Sequence, residues 1–589
     1  MLNPNDPLQL RQFVSTVKAS HAKLESYRQG RRELVRDFVG ADYGSEGGQE
    51  MPVNMLALMV DVYLMYLAGS TPQVILPTPR FDILPFVADL EAVVNQELQD
   101  MKFAKSIRRW VQEAIFCMGV GKCGLVDSDY VEILPGEPQQ LQEYFFDVID
   151  FDDFVYDTDA KDWSRIGFIG DRYIVDYDAI MDNESYDERG KAALGIREEA
   201  TRDEMRTSEI GMPEGIDELA GRTWRKTSYI WDVCIPEQRI VVTFADGDGV
   251  NYPLKVVDWD WPSTSPYKTL WFTDVPGNTM PLPPGRLMKS MNRSLNALYR
   301  KLVEQAKRQK TIGMFRHGEQ DDAKMIQESN DGDLIPVSHP DTVKEVTFGG
   351  AAQENLAFAI QIRELFSMMA GNLDAMGGLG PQSDTARQDA MIQSTVSQKA
   401  AKMAEAVTEG TVEVLKDFVW HIWNDPLRTY SATRQVAGTD VQVAAQISPG
   451  MRFGNFSDLD VKIVPHSMRY RSPLERANDI TQLMMNIVFP AMPFLQQQGI
   501  SVDIQKLFEY LSKYQSLPEL QHIFKFVGPP LPGTAGEEAK QPQVTNRTYT
   551  RVNRPGATKA GNDRTMQQLL MGGNPQSAQV ASLGRPTGV

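Results

Sequence analysis

A concentrated row of basic residues is the strongest candidate for chemistry in this chain. Residues 283–310 read PPGRLMKSMNRSLNALYRKLVEQAKRQK and carry eight basic residues against a single acid, Glu304. At about 100° per helical residue, five of the basic positions fall within about 60° of one another: Arg286, Lys289, Arg293, Arg300 and Lys307. Such a row suits the phosphates of a polyanion, bound without reading bases, or the carboxylates of a neighbouring subunit. The alternative is a charged helix face that serves only solubility.

The other side of the same segment predicts how the basic row is positioned. Apolar residues recur there at helical spacing: Leu287, Met291, Leu295, Leu298 and Leu302. The paired prolines suit a first helical turn, and no further proline follows in the segment. At about 1.5 Å per residue the helix is roughly 40 Å long. We predict a long amphipathic helix that packs on one side and presents basic residues on the other.

The composition of the whole chain limits its class. The 589 residues contain 60 Lys and Arg against 78 Asp and Glu, a formal charge of −18, so the basic row stands out against an acidic background. This length and a hydrophobic content of 42% predict several folded domains. Three cysteines without C-x-x-C spacing predict a reducing compartment. The scattered histidines predict no metal site, and no motif calls for a cofactor.

The most apolar parts of the sequence do not predict membrane insertion. Residues 1–18 lack the apolar core of a signal peptide. Residues 55–68 form the most apolar run, but they include Asp61 and fall short of the roughly 20 residues that cross a bilayer. We expect a buried helix there and no membrane span.

Two motifs resemble ligand sites, but their surroundings favour structural roles. Gly119, Gly121 and Gly124 match G-x-G-x-x-G, yet a helical pattern precedes them and an extended pattern follows, the reverse of a dinucleotide fingerprint. A helix that ends before a strand explains them better. The acids of residues 157–162 resemble a calcium loop, but Lys161 takes a ligand position and the glycine is missing. We expect turns between strands here.

Periodicity along the chain predicts an α+β fold. Helical patterns dominate residues 8–118, and β-rich runs at 227–244 and 254–261 predict a small antiparallel sheet. The aromatic residues beside that sheet are expected in its core rather than as a base-stacking surface: Trp259, Trp261, Tyr267, Trp271 and Phe272. Residues 311–350 predict a compact acidic βαβ-like insertion. A second amphipathic helix follows, with an apolar face at Phe358, Ile362, Leu365 and Met369.

The remainder of the chain alternates loop, helix and strand patterns. The glycines of residues 371–383 predict a mobile loop with no regular element. A very long helix, capped by Asp384 or Thr385, is expected to run to Asn424 with its later half buried. Residues 427–467 return to β character and are candidates to complete the earlier sheet. Residues 473–526 predict short helices, and residues 529–589 a basic, largely disordered tail.

This order of parts resembles the portal proteins of tailed double-stranded DNA bacteriophages, particularly those of short-tailed phages. The resemblance covers residues 20–526 and is carried by MPVNMLALMVDVYLMYLAGSTPQV, DFDDFVYDTDAKD, VPGNTMPLPPGRLMKSMNRSLNALYRKLVEQA and GGLGPQSDTARQDAMIQSTVSQKAAKMAEAV. None of these stretches is a catalytic signature, and their order is the specific feature. The resemblance implies a ring of about twelve subunits at one capsid vertex, through which the genome is packaged and ejected.

The resemblance also implies a division of the chain. The portal-like fold would comprise a helix-rich wing with a small antiparallel sheet (1–282 and 426–470), a two-helix stem (283–310 and 351–370), a small α/β clip (311–350), a tunnel loop (371–383), a long tunnel helix (384–425), a helical crown (471–528) and a flexible tail (529–589). The Gly and Pro content of the tail departs from relatives with a long helical C-terminal barrel.

Sites and partners follow from the same resemblance. The tunnel loop would touch DNA through its tip: Met376, Gly377, Gly378, Leu379, Gly380 and Gln382. The clip would bind the terminase motor or tail adaptor proteins through an acidic rim: Asp321, Asp322, Asp331 and Asp333. The basic stem face would line the lumen or meet acids of adjacent subunits. Further partners would be double-stranded DNA and the major capsid and scaffolding proteins, in a virion assembled in the host cytoplasm. The alternative for the loop is a surface connector without a role.

Two other functions compete with a portal. A packaging-motor enzyme needs G-x-x-x-x-G-K-[ST], and the nearest sequence, GVGKC at 119–123, lacks the first glycine and the final Ser or Thr. Another structural protein of the virion, such as a tail adaptor or scaffold, would not need the helix, acidic insertion and helix arrangement. We therefore expect no enzymatic activity.

Overall fold

The structure is a computed structural model that forms two compact units, Met1–Arg471 and Ser472–Val589. It describes residues 2–41, 53–134, 137–196, 226–247, 249–314, 324–325, 344–348, 350, 352–376, 386–435, 442–452, 454–464, 467–469, 481, 484–488 and 490. The described part of the second unit is limited to a few positions, among them a π-helical turn at Met484–Val488. The helices predicted for 473–526 and the tail therefore lie almost wholly outside the described residues.

Helices make up much of the first unit, and local sequence sets their ends. In chain order they are α1 (Pro7–Lys23), α2 (Glu25–Val39), α3 (Met55–Ala68), α4 (Leu84–Asp100), α5 (Phe103–Phe116), α6 (Tyr177–Asp182), α7 (Glu188–Lys191), α8 (Pro284–Lys307), α9 (Gln353–Met369), α10 (Leu373–Met376) and α11 (Ala386–Asn424). The Asp6 side chain caps α1 by accepting a hydrogen bond from the backbone of Leu8. Gly40 ends α2 in the left-handed conformation at φ 78°. The helical pattern of residues 8–39 thus contains two helices, which meet at Leu24.

The strands form small antiparallel sheets, so the α+β class is confirmed. They are β1 (Val74–Ile75), β2 (Gly119–Leu134), β3 (Glu137–Ile149), β4 (Phe154–Tyr156), β5 (Ile169–Asp176), β6 (Thr227–Ile235), β7 (Ile240–Ala245), β8 (Lys255–Asp258), β9 (Tyr267–Leu270), β10 (Lys310–Met314), β11 (Lys344–Phe348), β12 (Tyr430–Gln435), β13 (Gln442–Ile447) and β14 (Lys462–Ile463). One sheet has the order β4-β5-β6-β7-β8 and another the order β3-β2-β9. The antiparallel sheet predicted from residues 227–261 is confirmed as β6, β7 and β8.

Two expectations about strand partners are corrected. The β strands of residues 427–467 do not complete the five-stranded sheet, because β12 pairs with β13 and β14 pairs with β1. In the insertion at 311–350, β10 pairs directly with β11 in antiparallel register, from Lys310 opposite Phe348 to Met314 opposite Lys344. A βαβ unit would bring its strands together in parallel.

The glycine motif near residue 120 serves close packing. Helix α5 ends at Phe116 and β2 begins at Gly119, as predicted for a helix followed by a strand. A Cβ atom on Gly119 would lie 2.3 Å from the carbonyl oxygen of Trp110. On Gly121 it would lie 2.2 Å from the ring of Phe146. The absence of side chains lets the strand approach both neighbours, which is a packing requirement and not a phosphate-binding one.

The acidic segment after β4 is a turn, as predicted. The Asp157 side chain accepts hydrogen bonds from the backbone of Asp159 at 3.1 Å and of Gly167 at 3.2 Å. Asp162 caps the short 3-10 helix Trp163–Arg165. These carboxylates are occupied by backbone donors that shape the connection between β4 and β5.

Helix α11 passes through the main hydrophobic core. The predicted buried positions of its later half are all confirmed at 3% exposure or less: Val407, Thr411, Val414, Phe418 and Ile422. The core also takes apolar residues from α3, α4, α5 and α8. The aromatic residues beside the sheet are buried as expected, except Trp271, which is half-buried. The long helix is thus the central support of the first unit.

Candidate functional surfaces

The pair formed by α8 and α9 carries the predicted basic row. The two helices are joined through the β10–β11 hairpin, and Gln305 near the end of α8 accepts a hydrogen bond from the backbone of Ala352, at the start of α9, at 3.2 Å. The helices therefore return antiparallel, as the sequence predicted. The acidic clip residues lie outside the described residues: Asp321, Asp322, Asp331 and Asp333.

Two residues of the basic row bind acids on α2 of the same chain. The Lys289 ammonium pairs with Glu33. The Arg293 Nε atom lies 2.8 and 3.0 Å from the two carboxylate oxygens of Asp37, whose side chain is 2% exposed. These contacts fix α8 against α2. They also neutralise part of the charge that the sequence assigned to a polyanion or to another subunit.

The rest of the basic row is more open. Arg286 and Lys307 are exposed, and Arg300 is half-buried with Nε 3.5 Å from the carbonyl oxygen of Asn296. Lys301 and Arg308, which lie off the predicted row, are exposed as well. The exposed cations of α8 that have no acidic partner among the described residues lie near its start, at Arg286, and in its last two turns, at Lys301, Lys307 and Arg308.

The packing face of α8 differs in part from the predicted stripe. Leu295 and Leu302 are buried as expected, whereas Leu287 is 41% exposed. Two asparagines that the sequence did not single out, Asn292 and Asn296, are fully buried. Asn296 accepts a hydrogen bond from the backbone of Val53 at 3.1 Å and donates one to the carbonyl oxygen of Asn292 at 3.0 Å. Asparagine is polar, so the periodicity of apolar residues could not show that Asn292 and Asn296 are buried.

Helix α9 exposes the face that was predicted to pack. Phe358, Leu365 and Met369 are 52%, 45% and 42% exposed, and of the predicted face Ile362 alone packs partly against the core. The buried positions are instead Ala359, Phe366 and Ser367. We use the name open face of α9 for its large exposed apolar residues, which at about 100° per residue spread over roughly 220° of the helix and flank its buried positions: Leu356, Phe358, Ile360, Leu365, Met368 and Met369. Exposed apolar side chains in this number on one helix go beyond the scattered single residues that are normal on a protein surface.

The segment after α9 is more ordered than its glycines predicted. Gly371 and Asn372 adopt left-handed conformations at φ 88° and 62°, and α10 follows at once. Leu373 is 2% exposed, and Met376 packs against the main core. The expectation that residues 371–383 contain no regular element is thus wrong for Leu373–Met376. Gly377, Gly378, Leu379, Gly380 and Gln382 lie outside the described residues.

A lysine on α11 holds the end of α9. The Lys399 ammonium donates a hydrogen bond to the carbonyl oxygen of Met369, in the last turn of α9. Cations are favourable at this end of a helix because its carbonyl groups are unpaired and carry partial negative charge. Burial lowers the pKa of Lys399. This contact fixes the end of α9, just before the glycine segment of residues 371–383, to the long helix α11.

Three ion pairs with little solvent exposure position the surrounding elements, and none of them had a sequence signal. Lys268 on β9 lies 2.9 Å from Asp417 on α11, and both side chains are at most 5% exposed. Lys122 on β2 lies 2.8 Å from both Asp171 on β5 and Asp232 on β6. Burial alone would lower the pKa of Lys122, but the two carboxylates outweigh burial and raise it. Lys122 therefore stays charged and links the three-stranded sheet to the five-stranded sheet.

The described residues do not gather a metal site or a membrane span. Among them, no three His, Cys, Asp or Glu side chains come together as metal ligands. Across the same part of the chain, no helix combines the length and the apolarity needed to traverse a bilayer. Comparison with known proteins found no matching family model and no matching curated protein.

Proposed function

We propose that this chain is a portal protein of a tailed double-stranded DNA bacteriophage. In this proposal it forms a ring of about twelve subunits at one capsid vertex, and the ring is the channel for packaging and ejecting DNA. It docks the terminase motor and tail proteins and contacts the capsid and scaffolding proteins. It has no catalytic role.

The order of elements around α8 supports the proposal. Helix α8 leads into the β10–β11 hairpin, α9 returns beside α8, and the 39-residue helix α11 follows. The buried Lys268–Asp417 ion pair and apolar contacts anchor α11 in the body of the first unit. A paired stem held by a rigid body suits a ring in which neighbouring stems stand side by side.

The open face of α9 is the observation that carries the proposal. Six large apolar side chains on one helix remain between 42% and 67% exposed in the single chain. Burial of apolar surface stabilises by about 25 cal/mol per Å², so covering this face favours association. A contact between two different surfaces of adjacent copies closes into a ring when the rotation per copy divides a full turn.

The basic surface of α8 defines where DNA contact is expected. Lys289 and Arg293 are engaged with Glu33 and Asp37 and contribute little free charge. Arg286 and Lys307 therefore supply the sequence-independent phosphate contacts in this proposal. Weak attachment at each subunit suits a duplex that must slide.

Electron microscopy of the purified chain tests the proposal. We expect closed rings with a central hole at micromolar concentration and physiological salt. A folded chain that stays monomeric under these conditions would count decisively against a portal. An ATP hydrolysis assay distinguishes a portal from a packaging-motor enzyme, because ATP turnover by the chain alone would indicate a motor.

A further inference from the structure

A cavity of about 750 Å³ lies between the long helix and the loops at one end of the sheets. Its walls come from the segment after β4, the β6–β7 turn, the segment around β9, and α11. This volume lies within the usual range for binding sites, roughly 300 to 1,000 Å³. None of the residues discussed above for the ring or for DNA contact lines it.

One wall of the cavity is a rigid aromatic stack. The Trp163 and Trp271 rings are 5.2 Å apart at 25°, and Tyr156 stacks behind Trp163 at 4.8 Å. Both indole N–H groups are already bonded, that of Trp163 to the carbonyl oxygen of Thr279 and that of Trp271 to Asp274. Trp271 ends the stack and is half-buried. A fixed ring at the end of a stack offers its π-face to a planar cation.

The lining of the cavity also carries acidic side chains. Glu409 and Glu413 lie one turn apart on α11, and Glu237 projects from the β6–β7 turn. All three are exposed, and among the described residues none of them has an ion pair or hydrogen bond. With Asp274 the cavity contains four acids, against the bases Arg165 and Lys402, a net charge of −2. The net charge disfavours an anionic ligand and favours a cationic one.

We propose that this cavity is the docking site for an arginine-bearing segment of a separate partner protein. The planar guanidinium group stacks on Trp271 and pairs with the carboxylates of Glu409 and Glu413, a combination that an ammonium group matches less well. The volume accommodates a short extended peptide, and the acidic side chains are free to pair without breaking internal contacts. This proposal does not rest on the ring, since the cavity uses none of the residues assigned to the open face of α9 or to DNA contact.

Binding of a fluorescein-labelled peptide that alternates arginine and glycine tests the proposal with the full chain. A matched peptide with citrulline in place of arginine keeps the shape and removes the charge. We expect the citrulline peptide to bind at least about tenfold more weakly in anisotropy titrations at about 0.15 M salt. We expect a lysine and glycine peptide to fall between the two, because it keeps charge and loses the planar contact.

Variants of the acidic side chains in the lining locate the binding. Glu409→Gln with Glu413→Gln should raise the Kd about fivefold, the effect of two exposed ion pairs. Glu405→Gln, an exposed acid on the same helix outside this cavity, is the matched control and should leave the Kd unchanged. Trp271→Leu should also raise the Kd by about fivefold, and Trp271→Phe should restore most of the affinity.

Equal binding of the arginine and citrulline peptides would overturn the proposal. So would an equal loss in the Glu405→Gln control, since binding would then follow net charge and not this cavity. Thermal unfolding of each variant is measured in parallel, and the Glu409 and Glu413 changes decide the question if Trp271→Leu fails to fold. Ring formation of each variant is measured by electron microscopy and is expected to be unchanged, so that failure here is separable from failure of the portal proposal.

Discussion

Lys268 and Asp417 form a buried ion pair, with 2.9 Å between Nζ and Oδ2, that fastens the long helix to β9. Asp417 also accepts a hydrogen bond from the Ser263 hydroxyl at 2.7 Å. We expect Asp417→Ala to lower the free energy of unfolding by about 3–5 kcal/mol, because it leaves the Lys268 charge buried and unpaired. Thermal unfolding followed by circular dichroism measures this. Lys416 is exposed and adjacent to Asp417, so the control variant Lys416→Gln should unfold like the wild type. An equal loss of unfolding free energy in this control would contradict the role of the buried ion pair.

Residues of the basic row should differ in their contribution to DNA binding, because some of them are already paired with acids. Replacing Arg286 and Lys307 by Gln should reduce the slope of log affinity against log salt by about 0.9 for each phosphate that is no longer neutralised. Arg293→Gln should leave this slope unchanged, because Arg293 is bound to Asp37, and should lower stability by about 1–3 kcal/mol through the unpaired buried carboxylate. Filter binding to non-specific duplex at several salt concentrations gives both slopes. If Arg293→Gln reduced the salt slope more than the Arg286 and Lys307 changes did, the distinction between free and acid-paired basic residues would be wrong.

The stability of the chain should fall in mild acid because of His21. Burial, together with the charges of Arg28 and Arg172, lowers the pKa of His21 from 6.5 to about 3. The neutral ring packs against Trp231 at 5.2 Å, and its Nε2 atom lies 3.2 Å from the carbonyl oxygen of Asp152.

The folded state therefore resists protonating His21, whereas the unfolded state accepts the proton near pH 6.5. The contribution of neutral His21 to the free energy of unfolding is fully present above pH 6.5, and it is lost as the pH falls toward about 3. His21→Gln should flatten the decline in Tm between about pH 6.5 and 4.5, above the range in which most carboxylates titrate. The Tm profile of the variant would be as steep as that of the wild type if another group caused the decline. Burial also lowers the pKa of His421, so this residue contributes to the decline in the same direction.

The open face of α9 should control self-association. Phe358→Ser with Met368→Ser removes two of its most exposed apolar side chains and should shift the protein from rings to smaller species. Analytical ultracentrifugation measures the distribution. Phe81→Ser is the control, since Phe81 is 89% exposed on a different part of the chain, and it should still form rings. Rings that persist in the double variant would place the subunit contact elsewhere.

The glycine segment should act on DNA and not on assembly. Because Met376 packs against the core, the deletion that tests the loop begins at residue 377 and ends at 381. We expect this variant to form rings and to retain or pass packaged DNA poorly. Normal retention of a full genome in a packaging assay would leave the loop as a connector without a gating role.

Local signals in the sequence marked several helix ends. Gly40 and Gly371 end helices because their left-handed conformations cost little without a side chain. Pro284 lies in the first turn of α8, and Asn424 ends α11 close to a proline, as predicted. The buried later half of α11 followed from its 3.6-residue period. Each of these features depends on neighbours within one or two turns of chain.

The tertiary structure decided which surfaces meet. Periodicity identified an apolar face on α9, but whether Phe358 is covered depends on elements far away in sequence, and in this chain nothing described covers it. Likewise, a basic row does not reveal that Glu33 and Asp37 lie beside Lys289 and Arg293, some 256 positions away. Strand partners such as Val74 and Ile463 are set by the same long-range packing. Local propensity selects an element, whereas contacts between distant segments select its partners. The sequence therefore proposed the basic row, but only the folded chain shows which of its members are engaged by acids.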